Sequence, residues 1–155
     1  MKETNKFIAT NRQAQRDYTV VESVECGIEL KGSEVKSVRA GKINLKDSFA
    51  RIENNQVILY NVYISPYAQA SYLNVDSTRP RRLLLHKKQI SKLATGTSQR
   101  GFTLVPLKAY FSQRGFVKIE IALCKGKRVY DRRESLKRRE SELQIRRALE
   151  SRRRK

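Results

Sequence analysis

A strand that passes directly into a short helix constrains this chain more than any other stretch. From Val24 to Leu30, apolar and polar side chains alternate, which is the period of a strand with one buried face. Gly32 then interrupts the alternation, and Ser33 is a suitable N-cap for a helix over residues 33–40. The sequence therefore predicts a strand that feeds a helix with basic side chains on its outer side.

The same alternation predicts further strands. The first strand extends upstream to Tyr18, with a bulge at Glu22. Asn54 and Asn55 tolerate left-handed conformations and predict a tight turn, while Pro106 favours a bulge or an edge position in its strand. The predicted strands cover residues 18–30, 47–53, 56–64, 102–111 and 116–124, and a second helix covers residues 83–94.

This order of elements indicates a mainly β protein. Five or six strands separated by short helices and turns are typical of a small antiparallel β-barrel of the oligonucleotide-binding type, although an open sheet fits the same pattern. Residues 1–17 are polar, and we expect them to be flexible as far as about Asn11. Residues 67–82 have no period and contain Tyr67 and Tyr72, which indicates a long surface loop whose tyrosines either stack on bases or serve the structure.

The charge of the chain points to an anionic partner. Its 155 residues include 34 Lys and Arg against 15 Asp and Glu, a formal net charge of +19. Such an excess favours nucleic acid as the partner, with a membrane surface as the second candidate. Residues 125–155 hold 14 of the basic and five of the acidic residues, with few large aliphatic side chains. We therefore predict a barrel domain over residues 1–124 and a basic tail over residues 125–155, disordered when free and helical when bound.

The sequence argues against an enzyme. His86 is the only histidine, and no Ser-His-acid set, carboxylate pair or phosphate-binding loop is visible. Cys26 and Cys124 lie far apart without metal-ligand spacing, so we expect reduced thiols, no metal and no cofactor. The first ten residues are polar, and no apolar run approaches the roughly 18 residues of a membrane span. A cytoplasmic protein is expected.

Several segments together resemble the tmRNA-binding family called small protein B (SsrA-binding protein). The most specific are the run from Gly32 to Gly41 and the run from Lys125 to Glu134. The others are Asn11-Arg12-Gln13-Ala14 with Asp17-Tyr18, Asp47-Ser48-Phe49, Arg81-Arg82-Leu83-Leu84-Leu85-His86, and Val105-Pro106-Leu107 with Tyr110-Phe111. The resemblance runs from about Asn11 to about Glu140, and Cys26, Phe49 and Arg132 depart from the commoner Ala, Tyr and Lys.

The resemblance implies a barrel that grips the tRNA-like part of tmRNA and delivers it to ribosomes stalled on messages without a stop codon. The partners implied are tmRNA and the small-subunit RNA of the stalled ribosome, with the protein bound to RNA as a monomer and without a membrane. By the family's pattern, RNA-binding positions fall on Asn11, Glu25 and Leu84. The family's Gly-Lys and Asp-Lys-Arg positions near the tail correspond to Gly126-Lys127 and Asp131-Arg132-Arg133.

The residues themselves suggest how such a surface would bind. A carboxylate such as Glu25 accepts hydrogen bonds from base amino groups or ribose hydroxyls; otherwise it is a solvated strand glutamate paired with a lysine. Leu84 lies either against an unstacked base or in the core. A group of basic residues is suited to phosphates, which fix position without encoding sequence: Lys36, Arg39, Lys42, Arg79, Arg81, Arg82, Lys87 and Lys88.

Two sets of residues follow from these arguments. The predicted RNA-binding set is Asn11, Glu25, Lys36, Arg39, Arg81, Arg82, Leu84, Lys87, Gly126, Lys127 and Arg128. The predicted ribosome-contacting set, in the empty message channel, is Tyr130, Asp131, Arg132, Arg133, Leu143 and Leu149. A general single-strand RNA-binding or ribosomal protein shares the composition, and the tail would then only raise affinity for RNA without specificity.

Overall fold

The structure is a computed structural model that describes residues 6–69, 75–127 and 129–153, with side chains over residues 6–69, 75–127 and 133–152. Its strands are β1 (Lys6–Thr10), β2 (Tyr18–Ile28), β3 (Ile43–Asn44), β4 (Phe49–Glu53), β5 (Gln56–Tyr60), β6 (Tyr63–Ile64), β7 (Arg81–Leu84), β8 (Phe102–Phe111) and β9 (Val117–Gly126). Its helices are α1 (Arg12–Asp17), α2 (Gly32–Arg39), α3 (Lys87–Thr97) and α4 (Val129–Arg153).

Six of these strands close into an antiparallel barrel. The order around the barrel is β8-β4-β5-β7-β2-β9, and β9 pairs back with β8 over most of its length. Strand β1 adds to the free part of β8, and β3 pairs with β6 in a separate small sheet. Closure removes the sheet edges that an open arrangement would leave, so the predicted barrel is confirmed and the open sheet is excluded.

Alternating apolar residues fill the barrel. In β9, Val117, Ile119, Ile121 and Leu123 are all buried, as their spacing predicted. The same core includes Leu59 of β5 and side chains from the other barrel strands. The side chains of β9 and of its neighbouring strands that point outward form part of the surface described below.

Three local irregularities occur at the positions predicted from the sequence. The register of β2 against β9 shifts between Val20 and Glu22, and the register of β8 against β9 shifts just after Pro106. Asn54 and Asn55 have φ of 49° and 59°, so both adopt the left-handed conformation that the β4–β5 turn requires.

Three other predictions were wrong. The chain is ordered before Asn11, because Ile8 and Ala9 of β1 pack against the core. The start of the second helix is a strand instead, since Leu83 is buried in β7 between β5 and β2. Helix α2 begins at Gly32 rather than after a Ser33 cap, and the Glu34 carboxylate accepts a hydrogen bond from the backbone N–H of Lys31 at 2.9 Å.

The C-terminal segment forms helix α4 over Val129–Arg153, the conformation that we expected it to adopt on a partner, and its disorder when free stays a prediction. Arg, Lys, Glu and Leu favour helix, and the segment has no proline. The large apolar side chains of α4 are exposed by about a half, from Leu136 at 46% to Ile145 at 60%. At about 100° per residue, Leu136 and Leu143 share one side of the helix, while Ile145 and Leu149 lie on the opposite side. The helix therefore has no single apolar stripe.

Both thiols belong to the protein interior. Cys26 and Cys124 are free and buried, and burial raises their pKa to about 12 and about 11. Thiols with such pKa values are unreactive near neutral pH, which fits a packing role.

Among the described helices, none combines the length and the apolar character that crossing a membrane requires.

Candidate nucleic-acid interface

Two grooves meet on the outer surface of the barrel, on either side of one leucine. The first, the Glu25 groove, has a volume of about 480 Å³, and the second, the Phe116 groove, has a volume of about 420 Å³. Both are lined by Gly27, Leu84 and Lys118. The Glu25 groove adds Glu25, Gln56, Arg82, His86, Gln89 and Ile90, and the Phe116 groove adds Ile28, Leu30, Val35, Arg39, Arg114 and Phe116.

Leu84 forms the ridge between the two grooves because of the residue that faces it. Gly27 of β2 is paired with Leu84 of β7, and a Cβ placed on Gly27 would lie 3.4 Å from the Leu84 Cβ. With no side chain at Gly27, Leu84 lies across β2, and its side chain is 48% exposed. Such a surface leucine gives an unstacked base an apolar face to contact, and Leu84 is not part of the buried core.

The Glu25 carboxylate is held by a tyrosine from β8, which is separated from β2 only by β9. The Tyr110 hydroxyl on β8 donates a hydrogen bond to Glu25 Oε2. Burial, followed by this hydrogen bond and the Glu25 charge, raises the pKa of Tyr110 well above its ordinary value, so the hydroxyl keeps its proton near neutral pH. A fixed and exposed carboxylate is arranged to accept hydrogen bonds from an outside N–H or O–H group.

Basic side chains from three elements surround these grooves. Arg39 ends α2, Arg82 lies on β7, and Lys118 lies on β9. Arg82 Nε lies 3.0 Å from Glu29 Oε2, but both side chains are about half exposed, so a phosphate can compete for this pair. Of the predicted basic set, Arg39 and Arg82 come together here with Glu25 and Leu84.

Two predicted basic residues lie elsewhere. The Lys36 ammonium lies 5.3 Å from the centre of the Tyr67 ring and lines a separate hollow with Ser33. Lys87 is exposed at the first position of α3, directly after His86. Tyr72, the second loop tyrosine considered from the sequence, lies outside the described residues.

Arg81 is a correction to the predicted set. Its side chain is 1% exposed, and Arg81 Nε donates to Glu34 Oε2 while Nη1 donates to the Val62 carbonyl at 2.7 Å. Arg79 also donates to Glu34, at 3.0 Å from Nε. Burial raises the pKa of Glu34, but these hydrogen bonds more than offset it and lower the pKa below its usual range. Arg81 therefore joins β7 to α2 and cannot reach a phosphate outside the barrel.

Asn11 also serves the structure rather than an outside ligand. Its side chain is 5% exposed, and Asn11 Nδ2 donates to the carbonyls of Leu45 at 3.1 Å and Pro106 at 3.0 Å. Asn11 Oδ1 accepts from the Ala14 N–H and caps α1. The predicted direct RNA contact does not fit this arrangement, because its amide donors and its oxygen bind the protein's own backbone.

The predicted positions near the tail lie apart from the two grooves. Gly126 pairs with Tyr18 at the end of β9, and the Lys127 N–H donates to the Asp17 carbonyl at 3.0 Å. Arg128 lies outside the described residues. Tyr130, Asp131 and Arg132 lie in α4 without described side chains, whereas Arg133, Leu143 and Leu149 are exposed along it.

Sequence reasoning missed three residues of this surface. Lys118 and Tyr110 lay within predicted strands and were given no role in binding. Their positions opposite each other follow from the pairing of β8 with β9. Phe116, 64% exposed, was placed in a strand. A phenylalanine directly after Arg114-Gly115 in a basic chain is the signal that was available. Within the described residues, no group of three His, Cys, Asp or Glu side chains is placed to hold a metal ion.

Comparison with known proteins gives a consistent result. Residues 8–151 match the family model described as "SmpB protein". The chain is 56% identical to the SsrA-binding protein of Caldicellulosiruptor bescii over 144 residues, which cover 93% of this chain and 90% of that protein. It is 54% identical to the SsrA-binding protein of Enterococcus faecalis over 149 residues, which cover 96% of each chain.

A solved structure supports the same relationship. The fold matches a chain from work described as "tmRNA-SmpB: a journey to the center of the bacterial ribosome", with a TM-score of 0.67 and 50% sequence identity. The match covers 78% of this chain and 85% of that chain. This chain therefore shares its fold with a protein from that work on tmRNA and the ribosome.

Proposed function

Because this chain belongs to the SmpB protein family, we propose that it binds the tRNA-like domain of tmRNA and delivers it to stalled ribosomes. The observation that carries the proposal is the match over residues 8–151, which contain both grooves and most of the tail. The protein acts by binding rather than by catalysis. Because it acts on the ribosome, its place of action is the cytoplasm.

The Glu25 groove is the proposed centre of tmRNA recognition. An unpaired nucleotide fits there with its base against Leu84 and its donor groups toward Glu25. Arg39, Arg82 and Lys118 lie where phosphates on either side of that nucleotide would pass. A single carboxylate among these cations favours a base edge rich in N–H donors over one with acceptors alone, which gives the surface a source of specificity.

The tail is the proposed contact with the small ribosomal subunit. Helix α4 carries exposed basic residues along its length and apolar residues on opposite sides. A helix of this kind gains little from packing on one flat surface, but it can make contacts all round inside an RNA-lined channel. We place Arg133, Leu143 and Leu149 in that channel, together with Tyr130, Asp131 and Arg132, and Gly126-Lys127-Arg128 at the junction with the barrel.

A competition experiment separates this function from general RNA binding. A labelled tRNA-like fragment of tmRNA is bound at physiological salt, and excess bulk tRNA is added as competitor. Specific recognition predicts that the complex survives, and that Glu25→Gln and Leu84→Ala each weaken it while bulk tRNA binding is unchanged. Equal competition by bulk tRNA would favour the general RNA-binding protein.

Removal of the tail tests the second half of the proposal. A chain that ends at Arg133 is expected to keep nearly all of its affinity for the tRNA-like fragment and to lose tagging of stalled peptides. The matched control is the Leu84→Ala variant of the full chain. It should show the opposite pattern, with a loss of affinity for the tRNA-like fragment as its primary defect. Collapse of RNA affinity on truncation would show that the tail only adds nonspecific attraction.

A further inference from the structure

We propose that the Phe116 groove is a second nucleotide site, in which an unpaired base stacks on Phe116. The ligand is the nucleotide next to the one in the Glu25 groove, on the same RNA strand. This inference rests on the proposed function but adds a contact that the function does not require. Of the residues predicted from the sequence to bind RNA, only Arg39 and Leu84 line the Phe116 groove.

The phenylalanine is exposed, and hydrogen bonds fix the backbone of the turn that carries it. Phe116 is 64% exposed, although burying such a ring is worth about 1.5–3 kcal/mol. Its turn is fixed by hydrogen bonds from the Ser112 N–H to the Phe116 carbonyl at 2.8 Å and from the Phe116 N–H to Ser112 Oγ at 3.2 Å. Gly115 permits the turn with φ of 82°. A large ring on a fixed turn is a prepared stacking surface.

The charges of the groove select an anionic occupant. Its lining includes Arg39, Arg114 and Lys118, and the described lining includes no carboxylate. The floor is apolar, with Ile28, Leu30 and Val35. An apolar floor bordered by cations suits a base with its phosphates at the rim, whereas a purely apolar peptide would leave three charges without partners.

The two grooves adjoin at Leu84. Leu84 and Lys118 line both, so a strand that leaves the Glu25 groove over Leu84 enters the Phe116 groove next. Lys118 then lies beside the phosphate that links the two nucleotides. A base stacked on Phe116 adds affinity without reading sequence, because every base has a π-face, while Glu25 supplies the discrimination.

Tryptophan fluorescence gives a direct test, because the chain contains no tryptophan. The Phe116→Trp variant is titrated with the tRNA-like fragment, with excitation where tyrosine does not absorb. Stacking predicts strong quenching that saturates with binding. The matched control is Tyr63→Trp, at a position that is 46% exposed and lines neither groove, and its emission should stay unchanged.

Affinity measurements complete the test. Phe116→Ala is expected to weaken binding of the tRNA-like fragment by about 5- to 150-fold, the range for one stacked base, while Phe116→Tyr restores it and Tyr63→Ala has no effect. If the wild-type chain does not bind the fragment, the proposed function fails. If it binds and Phe116→Ala binds equally well, or Phe116→Trp is not quenched, the stacking site is wrong. A concentration-dependent dimer that Phe116→Ala abolishes would also overturn it.

Discussion

Glu34 and Glu25 show how differently two carboxylates are used in the same small barrel. Glu34 is 4% exposed and pairs with Arg79 and Arg81, so its charge is satisfied inside the protein. Glu25 is exposed and accepts a hydrogen bond from Tyr110, and an ionised carboxylate has further lone pairs with which to accept hydrogen bonds. The first carboxylate supports the fold and the second is available to a ligand.

Arg81 and Arg82 are neighbours with opposite roles, and their variants should separate stability from binding. Arg81→Met leaves Glu34 buried with one partner fewer and is expected to lower the free energy of unfolding by about 3–5 kcal/mol. Arg82→Met removes an exposed pair worth less than about 1 kcal/mol but should weaken RNA binding. Urea denaturation and titration with the tRNA-like fragment measure both quantities. Equal stability of the two variants would contradict the buried role of Arg81.

Tyr110 is expected to act on RNA through Glu25. Tyr110→Phe removes the hydroxyl that holds the carboxylate, a hydrogen bond worth about 1 kcal/mol, and should weaken binding of the tRNA-like fragment several-fold. The same change should have little effect in a Glu25→Gln background. The control is Tyr60→Phe, because the Tyr60 hydroxyl donates to the exposed Glu53 at 2.7 Å away from the grooves. A loss of equal size in both backgrounds would rule out the coupling.

At the scale of elements, the sequence predicted the strands and turns that local patterns determine. It missed those that depend on pairing with distant parts of the chain. The strands with clear alternation, such as β9, were found, and so was the Asn54-Asn55 turn. Strand β1 was missed because its order comes from pairing with β8 far along the chain. The Leu83-Leu84-Leu85 run has no period, and only pairing with β5 and β2 makes it a strand.

The site follows the same rule. Glu25, Leu84, Arg39 and Arg82 were identified from the family resemblance and the charge pattern, and the barrel brings them to adjoining grooves. Their contacts with RNA stay predictions. Arg81 was misplaced because residues 67–82 were predicted to form a surface loop, whereas β7 pairs with β5 and Arg81 is buried against Glu34. Phe116 was missed because a strand pattern does not reveal where the strand begins.

The β4–β5 turn gives a prediction at this scale. Asn55 has φ of 59°, and a β-branched side chain is strained in the left-handed conformation. Asn55→Val is therefore expected to destabilise the barrel by about 1–2 kcal/mol, whereas Asn55→Gly should be neutral or slightly stabilising. Thermal unfolding measures the change. Gln56→Val, at the exposed next position in β5, is the control, and a loss of similar size there would show that the turn conformation is not the cause.

The whole molecule divides its charge between a rigid barrel and an extended helix. Residues 125–155 carry nearly half of the net charge of +19, but the grooves lie on the barrel. We therefore expect the tail to contribute mainly to attraction to any RNA, and the grooves to recognition of one RNA. The two should respond differently to salt, because only the first depends chiefly on how many phosphates are neutralised.

Truncation after Arg133 removes nine Lys and Arg residues, and its effect should depend on the RNA. For single-stranded poly(U), the slope of log affinity against log salt is expected to become shallower by about 2 to 4, at about 0.7 for each phosphate that the tail no longer neutralises. For the tRNA-like fragment the slope should change by less than about 1. Titrations at several salt concentrations measure both. Equal changes for the two RNAs would show that the tail takes part in recognition of the fragment.

The opposite placement of Leu136 and Ile145 on α4 has a consequence for timing. A helix with a single apolar face would pack against the barrel. Such a helix would have to detach from the barrel before it could bind the ribosome. Because its apolar side chains are divided between two sides, α4 has no single apolar face with which to pack against the barrel. We therefore expect α4 to be accessible to the ribosome as soon as the barrel has bound its RNA, without a conformational change that first releases the helix.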